Sequence, residues 1–414
     1  MQFSILSATE YAEFTAHVPR IFLPQLPEYA QVAHKQHTEL EFLGVRDEKG
    51  TILGAGLVTY QPWKRFFRRA HMIYGPLLPW ENSDVVTAFF EGLLAHLRQK
   101  KNVVAVRFNP LLPRAFYQDI TSTEENPTAH RIDSLLRGYG AHRLGKEFYE
   151  QSDIQIRYIY TKVIEGMSFE EATATLSKSL RRRFHNEGRY GVTVRFLKPE
   201  EFDVFVALHE STEERTTMSD MSAHSQSLYR GLMEELGPEK SFLCVAYFSP
   251  TRYISQIDEE RESLSSRLEE LHTRAQTKAR TREISQIHER FTTLESQRER
   301  ACSVLEKFGD DIPFNSAVSF LSGKDLILLL GGMDKRFVEF GRDYPVERAM
   351  FKWACDNGVS IYNTFGISGI FDESAPDYPV LKFKRALNGQ VEEFVGTYVL
   401  PLRSLLAHAT GALN

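Results

Sequence analysis

Three adjacent arginines, Arg181, Arg182 and Arg183, are followed closely by Arg189. Guanidinium groups in a run can grip phosphate through paired N–H donors, either a pyrophosphate or an RNA backbone. The plain alternative is the solvated face of a helix, and for any one of these arginines it is the stronger reading. A second basic group comprises Arg274, Lys278, Arg280 and Arg282, with no acidic residue from Ala275 to Arg282. It suits contact with RNA phosphates, and equally a solvated loop. Gly331-Gly332 would let a substrate backbone or sugar approach closely, or would simply end a strand. Tyr362 and Asn363 adjoin in a strand-like run, so only one of them faces any given cleft. Lys384 follows Phe383, and Glu392 and Glu393 are near enough in sequence to pair with it at the surface.

Other chemistries find no footing. Gly366-Ile367-Ser368-Gly369 lacks the spacing of a nucleophile elbow. There is no phosphate-binding loop and no H-E-x-x-H. The 13 histidines show no ligand spacing. Cys244, Cys302 and Cys355 are odd in number, far apart and form no C-x-x-C, so neither a disulfide framework nor a zinc site is expected and a reducing cytoplasm fits best. A net charge of −5 and a pI near 6.3 are unusual for a nucleic-acid binder, so any RNA contact must come from a local patch. The first residues carry no basic segment or apolar stretch of a signal peptide, and no apolar run is long enough to span a membrane. The expected location is the cytoplasm, with contact at the inner face of the plasma membrane left open.

The elements that must position these residues alternate. Strands are expected at His37–Val45, Ile52–Tyr60 and Arg69–Gly75, the first two joined by a turn at Asp47–Gly50. Ser83 suits a helix N-cap, and Val86, Phe89, Phe90, Leu93, Leu94 and Leu97 form one helical stripe before a strand at Lys101–Phe108. The same order recurs later. Strands at Phe242–Phe248, Ala317–Leu321 and Asp325–Gly331 precede a helix opened by Pro345, ended by Gly358 and followed by a strand at Val359–Phe365. The chain reads as a duplicated α/β (α+β) unit, in the order found in GNAT-related N-acyltransferases.

Between Tyr253 and Phe308 there is no Pro or Gly. Ile254, Ile257, Arg261, Leu264, Leu268, Leu271 and Ala275 keep heptad spacing, and so do Ile284, Ile287, Phe291, Leu294, Arg298, Ala301 and Leu305. Folded back near Lys278–Thr281, the two seams pair as an antiparallel two-helix coiled coil, with Leu264 facing Leu294 and Leu271 facing Ile287. It interrupts the second half where the first has only the Asp47–Gly50 turn. This register sets Arg261 opposite Arg298, so both must reach outward, toward Glu260 or Glu295.

Seven features in this order resemble the Fem aminoacyltransferase (FemXAB) family, in the form that carries a coiled-coil insertion. They are Tyr74-Gly75-Pro76, the arginine cluster before Gly191-Val192, the insertion itself, Leu330-Gly331-Gly332 ahead of a helix, Tyr362-Asn363-x-Phe365-Gly366-x-Ser368-Gly369, Val380-Leu381-Lys382-Phe383-Lys384, and Glu392-Glu393-Phe394-Val395-Gly396. The likeness covers nearly the whole chain. It implies two GNAT-like domains, 1–150 and 151–252 with 309–400, an arm at 253–308 and a tail at 401–414. It implies no metal and no small-molecule cofactor.

The implied reaction moves an amino acid from aminoacyl-tRNA to an amine of a peptidoglycan precursor, UDP-MurNAc-pentapeptide or lipid II, in its stem or bridge peptide. A lipid-linked acceptor would bring the protein to the membrane surface. By resemblance, Lys384 is the catalytic lysine, a fixed cation for the oxyanion or the leaving ribose oxygen. Phe383, Gly331, Gly332 and Tyr362 line the substrate, Lys35 or a neighbour and Arg182, with Arg181 and Arg183 as alternatives, meet precursor phosphates, and Lys278, Arg280 and Arg282 on the arm meet tRNA. Two rivals stand beside this reading. An acyl-CoA-dependent enzyme would need a glycine-rich pyrophosphate loop, which Gly331-Gly332-Met333-Asp334 does not supply. A coiled-coil adaptor without catalysis would need apolar surface that a self-paired seam has already covered.

Overall fold

The computed structural model describes residues 1–118, 121–145, 155–186, 188–213 and 221–413. The strands in chain order are β1 Gln2–Leu6, β2 Glu39–Arg46, β3 Ile52–Trp63, β4 Phe67–Met72, β5 Val103–Phe108, β6 Pro113–Gln118, β7 Thr121–Glu125, β8 His142–Arg143, β9 Tyr158–Val163, β10 Val192–Leu197, β11 Ser241–Phe248, β12 Ile312–Ser322, β13 Asp325–Met333, β14 Ile361–Ile367, β15 Gln390–Phe394 and β16 Tyr398–Pro401. They form a seven-stranded sheet, β1-β2-β3-β4-β5-β16-β8, and a nine-stranded sheet, β10-β11-β12-β13-β14-β9-β15-β6-β7.

The duplication is visible in the pairing. β1 to β4 pair antiparallel in sequence and β4 pairs parallel with β5. β10 to β13 repeat the antiparallel run and β13 pairs parallel with β14. Parallel neighbours need a crossover, and a helix supplies it each time: Ser83–Gln99 in the first sheet, Pro345–Asp356 in the second. The first helix buries Val85, Val86, Phe89, Phe90, Leu93, Leu94 and Leu97 along one stripe. Its cap is Asn82, one residue before the expected Ser83, with the Asn82 side chain accepting the Val85 N–H at 3.2 Å. Gly358 follows the second helix at φ +68, the left-handed conformation that a helix-ending glycine supplies.

The sheets exchange strands across the expected boundaries. β6 and β7 come from the first half of the chain and join the nine-stranded sheet, whereas β16 returns to the seven-stranded one. The expected 150/151 boundary itself lies outside the described residues. Side-chain alternation announces a strand but does not say which sheet edge it will pair with.

The arm comprises helices Pro250–Thr273 and Lys278–Phe308. It leaves from β11 and returns into β12, which still pair from Ser241↔Phe320 to Phe248↔Ile312. In the first sheet the matching hairpin is closed by Asp47, whose Oδ1 accepts the Lys49 and Thr51 N–H groups at 2.9 and 2.8 Å. Ile257 and Leu271 bury against the second helix, which buries Ile287, Leu294 and Ala301 in return. The two facing arginines turn outward: Arg261 reaches Glu295 at 2.6 Å and Arg298 reaches Asp258 at 2.9 Å, while Glu260 receives Arg290 at 2.7 Å. The turn falls between Thr273 and Lys278, earlier than expected, because Thr277 Oγ1 caps the second helix by accepting the Arg280 N–H at 3.2 Å.

Alternation along β11 separates two layers over the nine-stranded sheet. Phe242, Cys244, Ala246 and Phe248 face helices Phe169–Ala174, Lys178–Phe184, Pro345–Asp356 and Tyr378–Arg385 and the arm root. Leu243, Val245 and Tyr247 face helices Phe202–Glu213, Ala223–Leu236 and Pro27–Lys35. Phe22 and Tyr74 from the first half pack with Ile159, Ile327 and Phe394 from the second, joining the halves through an apolar seam.

Candidate active site

β13 and β14 stay in register only over Asp325↔Ile361, Leu326↔Tyr362 and Ile327↔Asn363. β13 runs on to Met333 and β14 to Ile367, so the strands part beyond Ile327 and Asn363. A bulge flanks the opening on each side. Val318 pairs with Leu330 and Ser319 with Leu328, leaving Leu329 as the extra residue of β13. On β14 the register with β9 shifts between Asn363 and Gly366. Bulges re-aim backbone groups out of a ladder.

The β14 bulge holds Phe365 at φ +62, a conformation that L-residues avoid. Asn363 stabilises it locally, its Oδ1 accepting the Phe365 N–H at 2.9 Å. The bulge presents two carbonyls to one side chain: Lys384 Nζ donates to Gly366 O at 2.6 Å and to Phe365 O at 3.3 Å.

Lys384 sits on helix Tyr378–Arg385, which buries Leu381 and Lys384 on one face. The helix is fixed to the end of β14 by Asp377, whose carboxylate accepts the Ser368 N–H at 2.7 Å and the Ser368 hydroxyl at 2.6 Å. Lys384 is only 6% exposed. Burial pushes its amine down to about 7, against the opposing pull of the Asp377 carboxylate. Lys384 is therefore not a surface lysine paired with Glu392 or Glu393, and its burial works against the permanent charge expected of a fixed cation. Glu392 is bound by Arg20 at 2.5 Å and by the Thr161 hydroxyl at 2.8 Å. Glu393 is bound by Arg114 at 2.7 Å, the Tyr117 hydroxyl at 2.7 Å, and Arg157. An amine titrating near neutrality can give or take a proton at physiological pH.

The other expected residues divide. Phe383 lies 4.7 Å from Tyr344, and the Arg183 guanidinium lies 5.2 Å over the same Tyr344 ring, so Arg183 joins the wall beside Lys384. Arg182 is exposed on the same layer of the sheet and makes no described bond. Gly331 is exposed, and a Cβ there would meet nothing closer than Ser316 O at 3.7 Å, so it leaves room at the opening. Gly332 is a packing glycine: a Cβ would fall 2.8 Å from His209 N and 2.9 Å from Leu208 C.

Tyr362, expected at the substrate, is core. It is 1% exposed, packs edge-on against Phe351 at 4.9 Å and donates its hydroxyl to Glu347 O at 3.2 Å. Lys35 lies on the opposite layer from Lys384, paired with Glu235 of helix Ala223–Leu236, beside a cavity of about 400 Å³. At the arm tip Arg280 closes the turn by donating to Arg274 O at 2.6 Å, while Lys278 and Arg282 are exposed.

Sequence reasoning missed Asp325, Arg20 and the role of Asn363. Asp325 and Asn363 are both 0% exposed, and the Asn363 amide donates to Asp325 Oδ2 at 2.9 Å. The signal was the single charge opening an otherwise apolar strand, Asp325-Leu326-Ile327-Leu328, since a buried carboxylate must find a partner. Among the described residues no group of His, Cys, Asp or Glu could hold a metal ion, and no helix is long and apolar enough to cross a membrane.

Comparison with solved structures agrees with this architecture. FemX superposes with a TM-score of 0.77 at 16% identity over 99% of each chain. A tandem GNAT protein from the clavulanic acid biosynthesis pathway gives 0.52 at 10% identity, over 97% of this chain and 98% of that one. In sequence, the Aminoacyltransferase FemA of Staphylococcus aureus (strain MW2) is 24% identical over 420 residues, spanning 100% of this chain and 98% of that protein. The same-named protein of strain bovine RF122 / ET3-1 is 23% identical over the same span. The model of the FemAB family matches residues 6–414, and with the tandem fold in place, the chain belongs to the FemAB family.

Proposed function

We propose that this protein transfers an amino acid from aminoacyl-tRNA to an amine of a peptidoglycan precursor, building the bridge between stem peptides. Family membership and the aminoacyltransferase relatives support the reaction class. The observation that carries the site is Lys384, a buried amine bound to two backbone carbonyls, with no carboxylate bonded to it among the described residues, where β13 and β14 part.

The donor is an ester between an amino acid and ribose. The acceptor nitrogen attacks the ester carbon, an oxyanion forms, and collapse expels the ribose oxygen. The acceptor loses one proton and the ribose oxygen gains one. Lys384 in its ammonium form donates a hydrogen bond to the oxyanion and delivers a proton to the ribose oxygen. In its neutral form it accepts the proton the amine sheds. An amine with its proton affinity near neutrality performs both halves, which one held near 10.5 could not. Phe383, Tyr344 and Gly331 line the approach, Arg182 and Arg183 offer guanidinium groups to substrate phosphates, and Lys35 offers an ammonium on the far layer. Lys278 and Arg282 at the arm tip meet the tRNA backbone. A lipid-linked acceptor would place the reaction at the cytoplasmic membrane face, and a UDP-linked one in the cytoplasm.

The test is to mix the protein with charged tRNAs and with UDP-linked or lipid-linked stem-peptide precursors, and to follow precursor mass. A gain of one amino-acid residue that vanishes after ribonuclease treatment supports the reaction. No gain with any donor–acceptor pair, or a gain from an acyl-CoA without tRNA, refutes it.

A further inference from the structure

The carbonyl pair that receives Lys384 depends on a backbone conformation that Phe365 would not adopt unaided. A continuous chain of hydrogen bonds stands behind it. Arg20 Nη2 lies 2.9 Å from Asp325 Oδ2. The same oxygen accepts the Asn363 amide at 2.9 Å. Asn363 Oδ1 then accepts the Phe365 N–H at 2.9 Å, and the carbonyls of Phe365 and Gly366 receive Lys384 Nζ.

We propose that Asn363, backed by Asp325 and Arg20, is a positioning residue that holds the β14 bulge so that its two carbonyls fix the Lys384 amine at the strand opening. Asn363 is the link that joins a charged anchor to a strained turn. Its amide can serve both ends because it carries a donor and an acceptor, which neither aspartate nor alanine does in this setting. Arg20 brings the N-terminal half into this chain of bonds: it arises ahead of Phe22, which packs at the seam between the halves, and it forks to Asp325 and Glu392. Burial pushes the Asp325 carboxyl up against the pull of Arg20 and the Asn363 amide, so the anchor depends on the Arg20 contact.

This proposal rests on Lys384 being the reacting lysine, but its test does not depend on turnover. Without the Asn363 link Phe365 relaxes toward ordinary strand dihedrals and its carbonyl swings away. The ammonium form of Lys384 loses its acceptors, and Asp377 is then the charged group still facing it. Trace acetylation of the whole protein with acetic anhydride from about pH 5 to about pH 10, read by mass spectrometry on the Lys384 peptide, reports that titration directly.

In Asn363→Ala the midpoint should fall by about one pH unit, and kcat should drop about tenfold with KM for both substrates unchanged. If Asn363→Ala does not fold, Asp325→Asn, which keeps the volume and removes the anchor's charge, should shift the midpoint the same way. An unchanged or raised midpoint in the folded variant overturns the proposal. Full turnover by Lys384→Met would instead remove the catalytic role of Lys384, a distinct failure, while the acetylation result would still decide whether Asn363 positions the amine.

Discussion

Replacing Lys384 by methionine should change how stability depends on pH. Methionine keeps the unbranched shape and removes the amine. In the folded protein the amine titrates at about 7 rather than 10.5, because the site is dry. Between those values the unfolded chain holds a proton on this amine that the folded chain does not. Stability of the native protein therefore rises with pH across that window, and below about 7 both states are protonated and the burial penalty is complete. At roughly 1.4 kcal/mol per pH unit the whole penalty is roughly 5 kcal/mol, with no discount for solvent because the group is buried. Other titratable groups contribute alike to both proteins, and the two backbone carbonyls that lose their donor do not titrate. Subtracting the variant isolates Lys384. Between about pH 6 and about pH 9 the native protein should gain about 3 kcal/mol on Lys384→Met, measured by urea unfolding in matched buffers. A difference that stays flat with pH would mean that the amine is hydrated in the fold. A native protein that loses ground as pH rises would mean that Asp377 outweighs burial and that the proton-transfer role is mistaken.

Other expectations are more local. Lys384→Met should retain its fold and lose most turnover, and near-normal rates would sink its assigned role. Gly332→Ala should cost about 1–3 kcal/mol in a urea midpoint, because a Cβ would strike the backbone of helix Phe202–Glu213, while Gly331→Ala should be nearly silent for stability. Charge reversal at Lys278 and Arg282 should raise the KM for aminoacyl-tRNA and flatten its salt dependence without altering precursor binding; equal loss of both would mean that the arm acts only structurally. Leu294→Ala, at a fully buried seam position, should cost the arm about 2–5 kcal/mol, seen as faster hydrogen exchange confined to the two arm helices.

The arm was the most legible part of the molecule. A heptad seam fixes its own partner, and the clash it forced between Arg261 and Arg298 pointed outward to Glu260 or Glu295; Arg261 does take Glu295, whereas Arg298 takes Asp258 and Glu260 takes Arg290. The duplicated strands and crossover helices were legible for the same reason, since each carries its periodicity within itself. The destination of β6, β7 and β16 was not, because a strand's pattern is silent about its neighbour. At the site, resemblance pointed to Lys384 as a fixed cation, and nothing in the sequence signalled the burial that lowers its proton affinity. Its depressed proton affinity comes from burial by residues distant in sequence that close over it. Tyr362 and Asn363 could not be told apart by alternation alone; the buried carboxylate of Asp325 is what draws Asn363, not Tyr362, toward the opening.

The exchange of strands has a mechanical consequence. The link at 109–112 carries the chain from β5 to β6, and the link at 395–397 carries it back from β15 to β16. The two run side by side: Phe394 pairs with Pro113, Tyr398 pairs with Phe108, and the Val395 N–H donates to Leu112 O at 3.1 Å between them. A single tether would let the halves swivel freely. A bonded pair of tethers behaves as a strap, which resists both sliding and twist, and the further crossings from β7 to β8 and from β8 to β9 add to it. The strap runs beside Glu392 and Glu393, the acids that grip Arg20, Arg114 and Arg157, so the ion pairs of the site lie where the sheets are held most firmly.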